Sequence, residues 1–574
     1  MAELTTGESK SASTKKRELS MEMRMLIAFI LMGAVLFVTP YFYKSQAPPA
    51  KPVAEQTTKQ AAEAESAASR VAERPGTTAA PTADPPPPVA GQAEEVFTVE
   101  NGLYRVEFSN RGAVVRQWTL KKYSDSTGKP LDLVNAKAAG KVSYPFHFVF
   151  QDKKPSVDLN QVLYQAHPSA DGLGVDYEYS DGKTWARKSF RFTKGSYLGE
   201  ISSEVTEGGT SIPHLLGWRG GFGDLAVTNA ASLGHSLYYD PAEASLAVLD
   251  ASEAKEAPVS HSGAYSFAGI EDTYFMAVFL PKSNGSVETR TFSDTVATPH
   301  VASEEPHVGV AVGGDARNEF SLFVGPKDIQ ILRTVNPKLE QAVDFGFFSI
   351  IAKPLFLAVH WVNDSFVHNY GWAIVLVTIL INFALFPLKI TSMKSMKKMQ
   401  ALQPQIAAIN ERYKNIGMRD PRKQEQNQEV MALYKRYGVN PMGGCVPILL
   451  QIPFFFAFYT VLTVSIEMRQ AGWLWVSDLS GPDPFYLLPI AMIATQFLMQ
   501  RMTPSAGMDK NQQKMMMFMP LVIGFMFLSA ASGLVLYWFT GNVVGIAQQW
   551  FFNRTSIAAA AAEAVQPKRK NNRK

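Results

Sequence analysis

The sequence has little that would support metal, redox or disulfide chemistry. Its 574 residues include one cysteine, Cys445, which excludes a disulfide framework, a CxxC redox pair and a cysteine zinc cluster. Its nine histidines are scattered, without an HExxH motif or paired spacing, so a histidine metal site has no support. Charge is also missing from long stretches, since several runs of 15 or more residues in the C-terminal third contain no Asp, Glu, Lys or Arg. These runs exclude a wholly soluble protein and predict a polytopic α-helical membrane protein.

Six apolar runs are predicted to be transmembrane helices. The first covers residues 25–43 and follows a basic N-terminus, residues 1–24, which indicates an anchor whose N-terminus stays in the cytoplasm. A cleaved signal peptide is the alternative, but no small-x-small cleavage site directly follows the run, so an uncleaved anchor is favoured. The other five runs form a C-terminal core, residues 371–551, and cover residues 371–388, 446–464, 486–500, 515–529 and 533–551.

The loops between these spans alternate in charge, which predicts their orientation. Residues 389–445 carry 11 Lys and Arg against 4 Asp and Glu, and residues 552–574, the C-terminal tail, carry 6 against 1. The loop 465–485 has one arginine and three acidic residues, so it belongs on the opposite side. We therefore expect both termini in the cytoplasm of a bacterial cell and residues 44–370 mainly on the exported, periplasmic side of the inner membrane.

The exported segment divides into a tether, a β domain and an interfacial segment. Residues 44–95 are predicted to be a disordered linker, because residues 47–91 hold nine prolines and no Leu, Ile, Met, Phe, Tyr or Trp. Apolar residues then alternate with polar ones, as in Tyr104, Val106 and Phe108, and Asp181-Gly182 marks a hairpin turn. This pattern predicts an all-β sandwich over residues 96–345, without a recognisable catalytic site, followed by an amphipathic interfacial segment at 346–370.

The basic loop 389–445 is predicted to be a cytoplasmic helical hairpin. Apolar residues from Met393 to Tyr413 repeat at steps of three and four, Asp420-Pro421 begins a second helix, and Gly438 ends it. Its basic outer face either reflects the charge rule alone or binds an anionic partner: lipid headgroups, ribosomal RNA or an acidic protein. The basic tail at 568–574 has the same ambiguity and favours ribosomal RNA more strongly; DNA is not an expected partner.

Several segments together resemble the YidC family of bacterial membrane protein insertases, in its Gram-negative form. They are Phe323-Val324-Gly325-Pro326-Lys327-Asp328, Val439-Asn440-Pro441-Met442-Gly443-Gly444-Cys445-Val446-Pro447, Leu450-Gln451-Ile452-Pro453, Ile466-Glu467-Met468-Arg469-Gln470-Ala471 and Ser532-Gly533-Leu534-Val535-Leu536-Tyr537-Trp538. The resemblance implies a large periplasmic β-supersandwich domain and a membrane insertase and chaperone that is not an enzyme and needs no cofactor. Its implied partners are nascent membrane proteins, membrane lipids and the Sec translocon, and the ribosome is a hypothetical partner through the tail and hairpin.

The resemblance also implies a hydrophilic groove inside the bilayer, for which the spans offer five polar candidates. Thr378 and Asn382 are four residues apart and share one helix face, and Asn382 stands where the family usually has an arginine. An asparagine exchanges hydrogen bonds but attracts no charge, so a purely charge-based mechanism is in doubt. The remaining candidates are Gln451, Gln496 and Asn542. The alternative role for all five is interhelical hydrogen bonding.

Two other functions compete with insertion. A transporter or channel usually carries ionisable residues within its spans, and the five C-terminal spans contain none. An envelope receptor that binds glycan through the β domain would instead place the function outside the membrane.

Overall fold

The structure is a computed structural model that describes residues 87–555, apart from residues 126, 152, 228–229, 283–284, 300–302, 415–419, 441–445 and 504–509. The N-terminus 1–24, the predicted first span 25–43, the linker up to residue 86 and the tail from residue 556 lie outside the described residues. What the structure does describe is a large β-rich domain followed by a helical part, as the sequence predicts.

Nineteen strands are described in the β-rich domain. They are β1 Val96–Glu100, β2 Tyr104–Ser109, β3 Val114–Ser124, β4 Pro130–Asp132, β5 His147–Val149, β6 Gln165–Pro168, β7 Gly174–Ser180, β8 Thr184–Phe192, β9 Leu198–Glu207, β10 Thr210–Ser211, β11 Leu215–Trp218, β12 His235–Asp240, β13 Ser245–Leu249, β14 Val259–Gly263, β15 Phe267–Glu271, β16 Phe275–Pro281, β17 Val287–Val296, β18 Glu305–Gly313 and β19 Arg317–Pro326.

The strands form antiparallel sheets that enclose an aromatic core. One sheet has the order β1-β2-β3-β4, a second has β14-β17-β18-β11-β5, and the largest runs β12-β15-β16-β19-β9-β8-β7-β6 from β12 onward. Alternate residues of β8 are buried, as expected where one face of a strand covers a core. Trp118 and Trp218 meet inside with ring centroids 6.3 Å apart, and Phe146 packs edge-on against Trp218.

The predicted tether differs from the structure over its last residues, 87–95. Val89 and Gly91 donate their backbone N–H groups to Ser180 and Leu163, at 2.8 and 3.0 Å. Glu94 also forms ion pairs with Arg111 and Arg116 of the β domain. These bonds offset the entropy lost on ordering, so the stretch that follows the last proline of the run belongs to the β domain rather than to the linker.

Ten helices are described, most of them in the C-terminal part. They are α1 Ala230–Leu233, α2 Ile329–Val335, α3 Ser349–Val362, α4 Tyr370–Ala384, α5 Phe386–Arg412, α6 Arg422–Arg436, α7 Val446–Val464, α8 Leu487–Met502, α9 Lys510–Met526 and α10 Ser532–Arg554.

The run predicted as one span at 371–388 is divided between α4 and α5. Asn369 caps the start of α4 by accepting a hydrogen bond from the Trp372 N–H. Helix α4 ends at Ala384, and Pro387 lies in the first turn of α5. Proline has no N–H to donate and is favoured at a helix start, so the break falls just before it.

By length and composition, no single helix among residues 87–555, where described, is long and apolar enough to cross a membrane. One bent pair, Ser349–Val367 with Tyr370–Ala384, meets those criteria together, with an angle of 116° between its members.

Helices α5 and α6 lie against each other through a small apolar core of their own. Met399, Leu402 and Ile406 of α5 are buried with Tyr434 of α6 and with Val439 beyond it. Gly438 has a φ of 61° and follows the end of α6, where a left-handed residue commonly terminates a helix.

Candidate functional site

Helix α4 buries two polar side chains and exposes large apolar ones on its other face. Thr378 and Asn382 are 0% and 7% exposed, whereas Leu380 and Phe383 on the other face are 61% and 60% exposed. Thr378 Oγ1 donates to the Ile374 carbonyl at 2.6 Å, and Asn382 Nδ2 donates to the Thr378 carbonyl at 2.8 Å. Each side chain thus satisfies a donor within its own helix, and Asn382 Oδ1 is left to accept from elsewhere.

The group that donates to Asn382 Oδ1 is the ammonium of Lys389, a residue that sequence reasoning missed. Lys389 lies in the first turn of α5, and its Nζ is 2.7 Å from Asn382 Oδ1. The same Nζ lies 3.4 Å from Oε1 of Gln548 on α10, and Gln548 Nε2 donates to the Asn382 backbone carbonyl at 3.0 Å. The seven residues from Asn382 to Lys389 include the break between α4 and α5, so sequence spacing alone does not bring the two side chains together.

Gln451 of α7, a fourth helix, forms a side-chain hydrogen bond with Tyr537 of α10, one turn before Gly541. A Cβ built at Gly541 of α10 would lie 4.0 Å from both Asn382 Nδ2 and Gln451 Nε2. A glycine at this position leaves room between the two amides. We use the name polar cluster for the set Thr378, Asn382, Lys389, Gln451 and Gln548.

The other two predicted site residues lie at the contact between α8 and α10. Gln496 Oε1 accepts a hydrogen bond from Trp538 Nε1 at 3.3 Å. Asn542 is buried, and its Nδ2 donates to the Met492 carbonyl at 3.4 Å and to Thr495 Oγ1 at 3.3 Å. The structure therefore brings three of the five predicted residues together in the polar cluster and places two in interhelical hydrogen bonds.

The polar cluster consists of hydrogen-bonding amide and hydroxyl groups around one cation, the Lys389 ammonium. Amide groups both donate and accept, a hydroxyl does the same, and the ammonium donates only. Within the described residues no ion pair is formed by Lys389, and no group of three or more His, Cys, Asp or Glu could hold a metal ion. The cluster is therefore a set of neutral hydrogen-bonding groups around one ammonium within the helical bundle.

A second polar junction connects the β domain with the loop between α7 and α8. Arg469 Nη2 lies 2.6 Å from Asp224 Oδ2, and the two side chains are 6% and 2% exposed. Arg469 Nη2 also donates to the Ser124 carbonyl at 2.8 Å, and Gln470 Nε2 donates to the same carbonyl at 2.9 Å. We refer to these contacts as the Arg469 junction; they place the loop against the β domain.

Two family models together match most of the chain. A model described as "60Kd inner membrane protein" matches residues 361–559, which include the polar cluster. A model described as "YidC periplasmic domain" matches residues 96–358, which include the whole β domain.

Curated relatives carry the same family name. The chain is 34% identical over 564 residues to "Membrane protein insertase YidC" of Syntrophus aciditrophicus (strain SB), covering 93% of this chain and 100% of that protein. It is 36% identical over 481 residues to the protein of the same name from Geobacter sp. (strain M21), covering 80% of this chain and 85% of the relative. Among solved structures, "Crystal structure of YidC from Thermotoga maritima" is 14% identical, with a TM-score of 0.29, and covers 80% of this chain and 99% of that one.

Proposed function

This chain belongs to the YidC family of membrane protein insertases, and we propose that its polar cluster receives the segment that is being inserted. The family is one of inner-membrane proteins with a periplasmic domain, and its activity is insertion rather than enzyme catalysis. The observation that carries the proposal is the contact between the buried Asn382 and the partly buried Lys389 at the meeting of α4, α5 and α10, where Leu380 and Phe383 on the outer face of α4 are exposed.

The energetics of insertion explain why such a cluster is useful. A segment that enters from the cytoplasm must carry its polar flank across about 30 Å of hydrocarbon. A charged side chain at the bilayer centre costs about 2.5–3.5 kcal/mol on insertion scales. Hydrogen-bonding side chains, and water held among them, lower that cost without covalent chemistry or a nucleotide. The groove is proposed to include all five predicted residues, with Gln496 and Asn542 at its α8–α10 wall.

The proposed topology has six spans with both termini in the cytoplasm and residues 44–370 mainly in the periplasm. Basic residues on α5 and α6 and an acidic exported segment support it through the positive-inside rule. The Arg469 junction gives independent support, since it places the loop 465–485 against the β domain and therefore on the same side. Exposed apolar side chains on α3, among them Ile350 and Trp361, suit an interfacial segment that contacts lipid.

The proposed partners follow from this topology. Nascent membrane proteins are the substrates, alone or delivered beside the Sec translocon. The cytoplasmic hairpin, together with the basic tail 568–574, would contact ribosomal RNA or lipid headgroups through Lys and Arg.

The proposal is tested by removing hydrogen bonding at Asn382. Asn382→Leu should impair insertion of clients whose exported tails are polar or charged, because it leaves Lys389 Nζ without its nearest acceptor and closes the groove with an apolar group. Insertion is measured as protease protection of clients that differ only in tail charge, in vesicles containing each variant.

Leu380→Ala is the matched control, because Leu380 lies on the exposed face of the same helix. It should insert every client at the wild-type level. Normal insertion of every client by Asn382→Leu would show that Asn382 serves helix packing alone.

A further inference from the structure

Lys188 is a lysine in a core position of the β domain. It lies on β8 between Ala186 and Phe190, buried residues on the same face of the strand, and it is itself 0% exposed. Within the described residues it forms no ion pair with a carboxylate. Burial disfavours the charged form and lowers the pKa of Lys188 well below its ordinary value, so the charge needs compensation from neutral groups.

Three backbone carbonyls supply that compensation. Lys188 Nζ donates to the carbonyls of Gly112, Ala113 and Phe146 at 2.8, 3.2 and 2.7 Å, and we call these three groups the carbonyl cage. The Phe148 ring lies beside them with its centroid 4.0 Å from Nζ, the geometry of a cation–π contact. An ammonium has three N–H donors and a neutral amine has two, so the carbonyl cage matches the charged form of the lysine.

Each carbonyl of the cage belongs to a residue with a left-handed backbone. The φ angles of Gly112, Ala113 and Phe146 are 72°, 48° and 67°. Residues with a side chain rarely adopt this conformation, and it is least expected for a bulky one such as Phe146. Backbone strain of this kind persists only where the surrounding structure stabilises it. The hydrogen bonds from Lys188 Nζ supply such stabilisation at all three residues.

The Lys188 ammonium lies where the three sheets of the β domain meet. Gly112 and Ala113 are in the turn between β2 and β3 of the first sheet, and Phe146 directly precedes β5 of the second. Lys188 itself is on β8 of the largest sheet. One side chain therefore hydrogen-bonds to the backbone of two sheets other than its own.

We propose that the carbonyl cage and the Phe148 ring form an internal cation site, which the chain fills with its own ammonium and which fixes the three sheets relative to one another. Neutral carbonyls and an aromatic face suit a monovalent cation with N–H donors. Calcium and magnesium ions take carboxylate ligands, which this site lacks among the described residues. A primary alkylammonium should therefore occupy the cage when Lys188 is shortened.

The first test removes the ammonium and returns it as a free molecule. Lys188→Ala in the full chain in detergent should unfold about 10 °C below the wild type, because three buried carbonyls lose their donor. Propylammonium chloride reproduces the part of the side chain that is removed and should restore most of this loss. Propanol lacks the charge and tetrapropylammonium chloride lacks N–H donors, so neither should do so at the same concentration. Lys194→Ala, at an exposed lysine just after β8, should unfold like the wild type.

The second test keeps Lys188 and changes the electrostatics of the Phe148 ring. Phenylalanines with increasing numbers of ring fluorines at position 148 progressively weaken the negative ring face that attracts a cation. The unfolding temperature should fall with each added fluorine. The same series at Phe279, a buried ring that packs edge-on against Phe146 and lies over no cation among the described residues, should show no such trend.

Three results would overturn the inference. A wild-type unfolding temperature for Lys188→Ala would mean that the carbonyl cage needs no cation. Equal effects of propylammonium and propanol on that variant would mean that the cage does not select a charged ligand. An unfolding temperature that is independent of fluorination at Phe148 would mean that Lys188 is neutral in the folded protein. The fluorine series decides the question also where Lys188→Ala fails to fold.

Discussion

Glu467 is a carboxyl group whose environment disfavours its charge. It lies beside the Arg469 junction, and its Oε1 is buried without a hydrogen-bond partner among the described residues. Burial raises the pKa of Glu467 to about 7, and the neighbouring carboxylates of Asp328 and Asp364 raise it as well. The folded protein therefore holds a proton on Glu467 that the unfolded chain releases near pH 4.5.

This difference gives stability a pH dependence of known sign. Because the folded state binds the proton more tightly, the stabilisation is complete below about pH 4.5 and is lost as pH rises toward 7, by at most about 3 kcal/mol. Glu467→Gln removes the titrating group, so it should raise the unfolding temperature at pH 8 more than at pH 5.

Thermal unfolding of the detergent-purified protein at the two pH values measures this effect. Glu95→Gln, at an exposed position of the β domain, is the control and should show no such difference. A shift of equal size at both pH values for Glu467→Gln would contradict the account.

At the same scale, sequence reasoning located polar residues but not their partners. The i,i+4 spacing of Thr378 and Asn382 correctly placed them on one buried face of α4. The asparagine at position 382 indicates that α4 itself carries no charge there, and Lys389 lies just beyond the end of the apolar run. Whether a side chain reaches across a helix break depends on the break's geometry, which residue types alone do not determine.

The loop between α7 and α8 is an element whose stability depends on one buried ion pair. Breaking such a pair from one side leaves a buried charge uncompensated and typically costs 3–5 kcal/mol. Asp224→Asn should therefore destabilise the Arg469 junction by about that amount, since Arg469 would remain among Tyr274, Phe275 and the Ser124 carbonyl.

A double-mutant cycle with Arg469→Met measures the coupling. The double variant should be more stable than the sum of the two single losses predicts, because removing both charges leaves neither unpaired. Chemical unfolding followed by tryptophan fluorescence gives the free energies. Strict additivity would mean that the contact contributes nothing to holding the loop.

Helices and strands could be predicted where a single periodicity of apolar residues was present, and less well where apolar character had no periodicity. Period-two alternation identified β-strands, and the step of three and four identified the stripe of α5 that packs against α6. The run 371–388 has no charged residue and is apolar apart from Thr378 and Asn382, so hydropathy alone joined α4 to the start of α5, and Pro387 divides them. The tether 44–95 ends early because its last residues bind the β domain through backbone groups, which composition does not report.

At the scale of the whole molecule, the sequence predicts how charge is divided between the two parts of the chain, but not which residues of the two parts touch. The net negative charge of residues 44–370 and the net positive charge of residues 389–445 follow from counting alone. The contact between them at the Arg469 junction joins residues 245 positions apart, and no local pattern links them. The same limit holds for the polar cluster, where Asn382 and Gln548 are 166 positions apart.

The central claim is that the inserting segment passes along the polar cluster and not along the apolar outer face of α4. The most direct test places a photo-crosslinking amino acid at Gln451 or at Leu380 and irradiates vesicles bearing ribosome-bound client chains. Gln451 faces the cluster and Leu380 is 61% exposed on the outer face. The account predicts crosslinks to the nascent chain from Gln451 that are several-fold stronger than those from Leu380. Equal crosslinking from the two positions, or crosslinking from Leu380 alone, would contradict it.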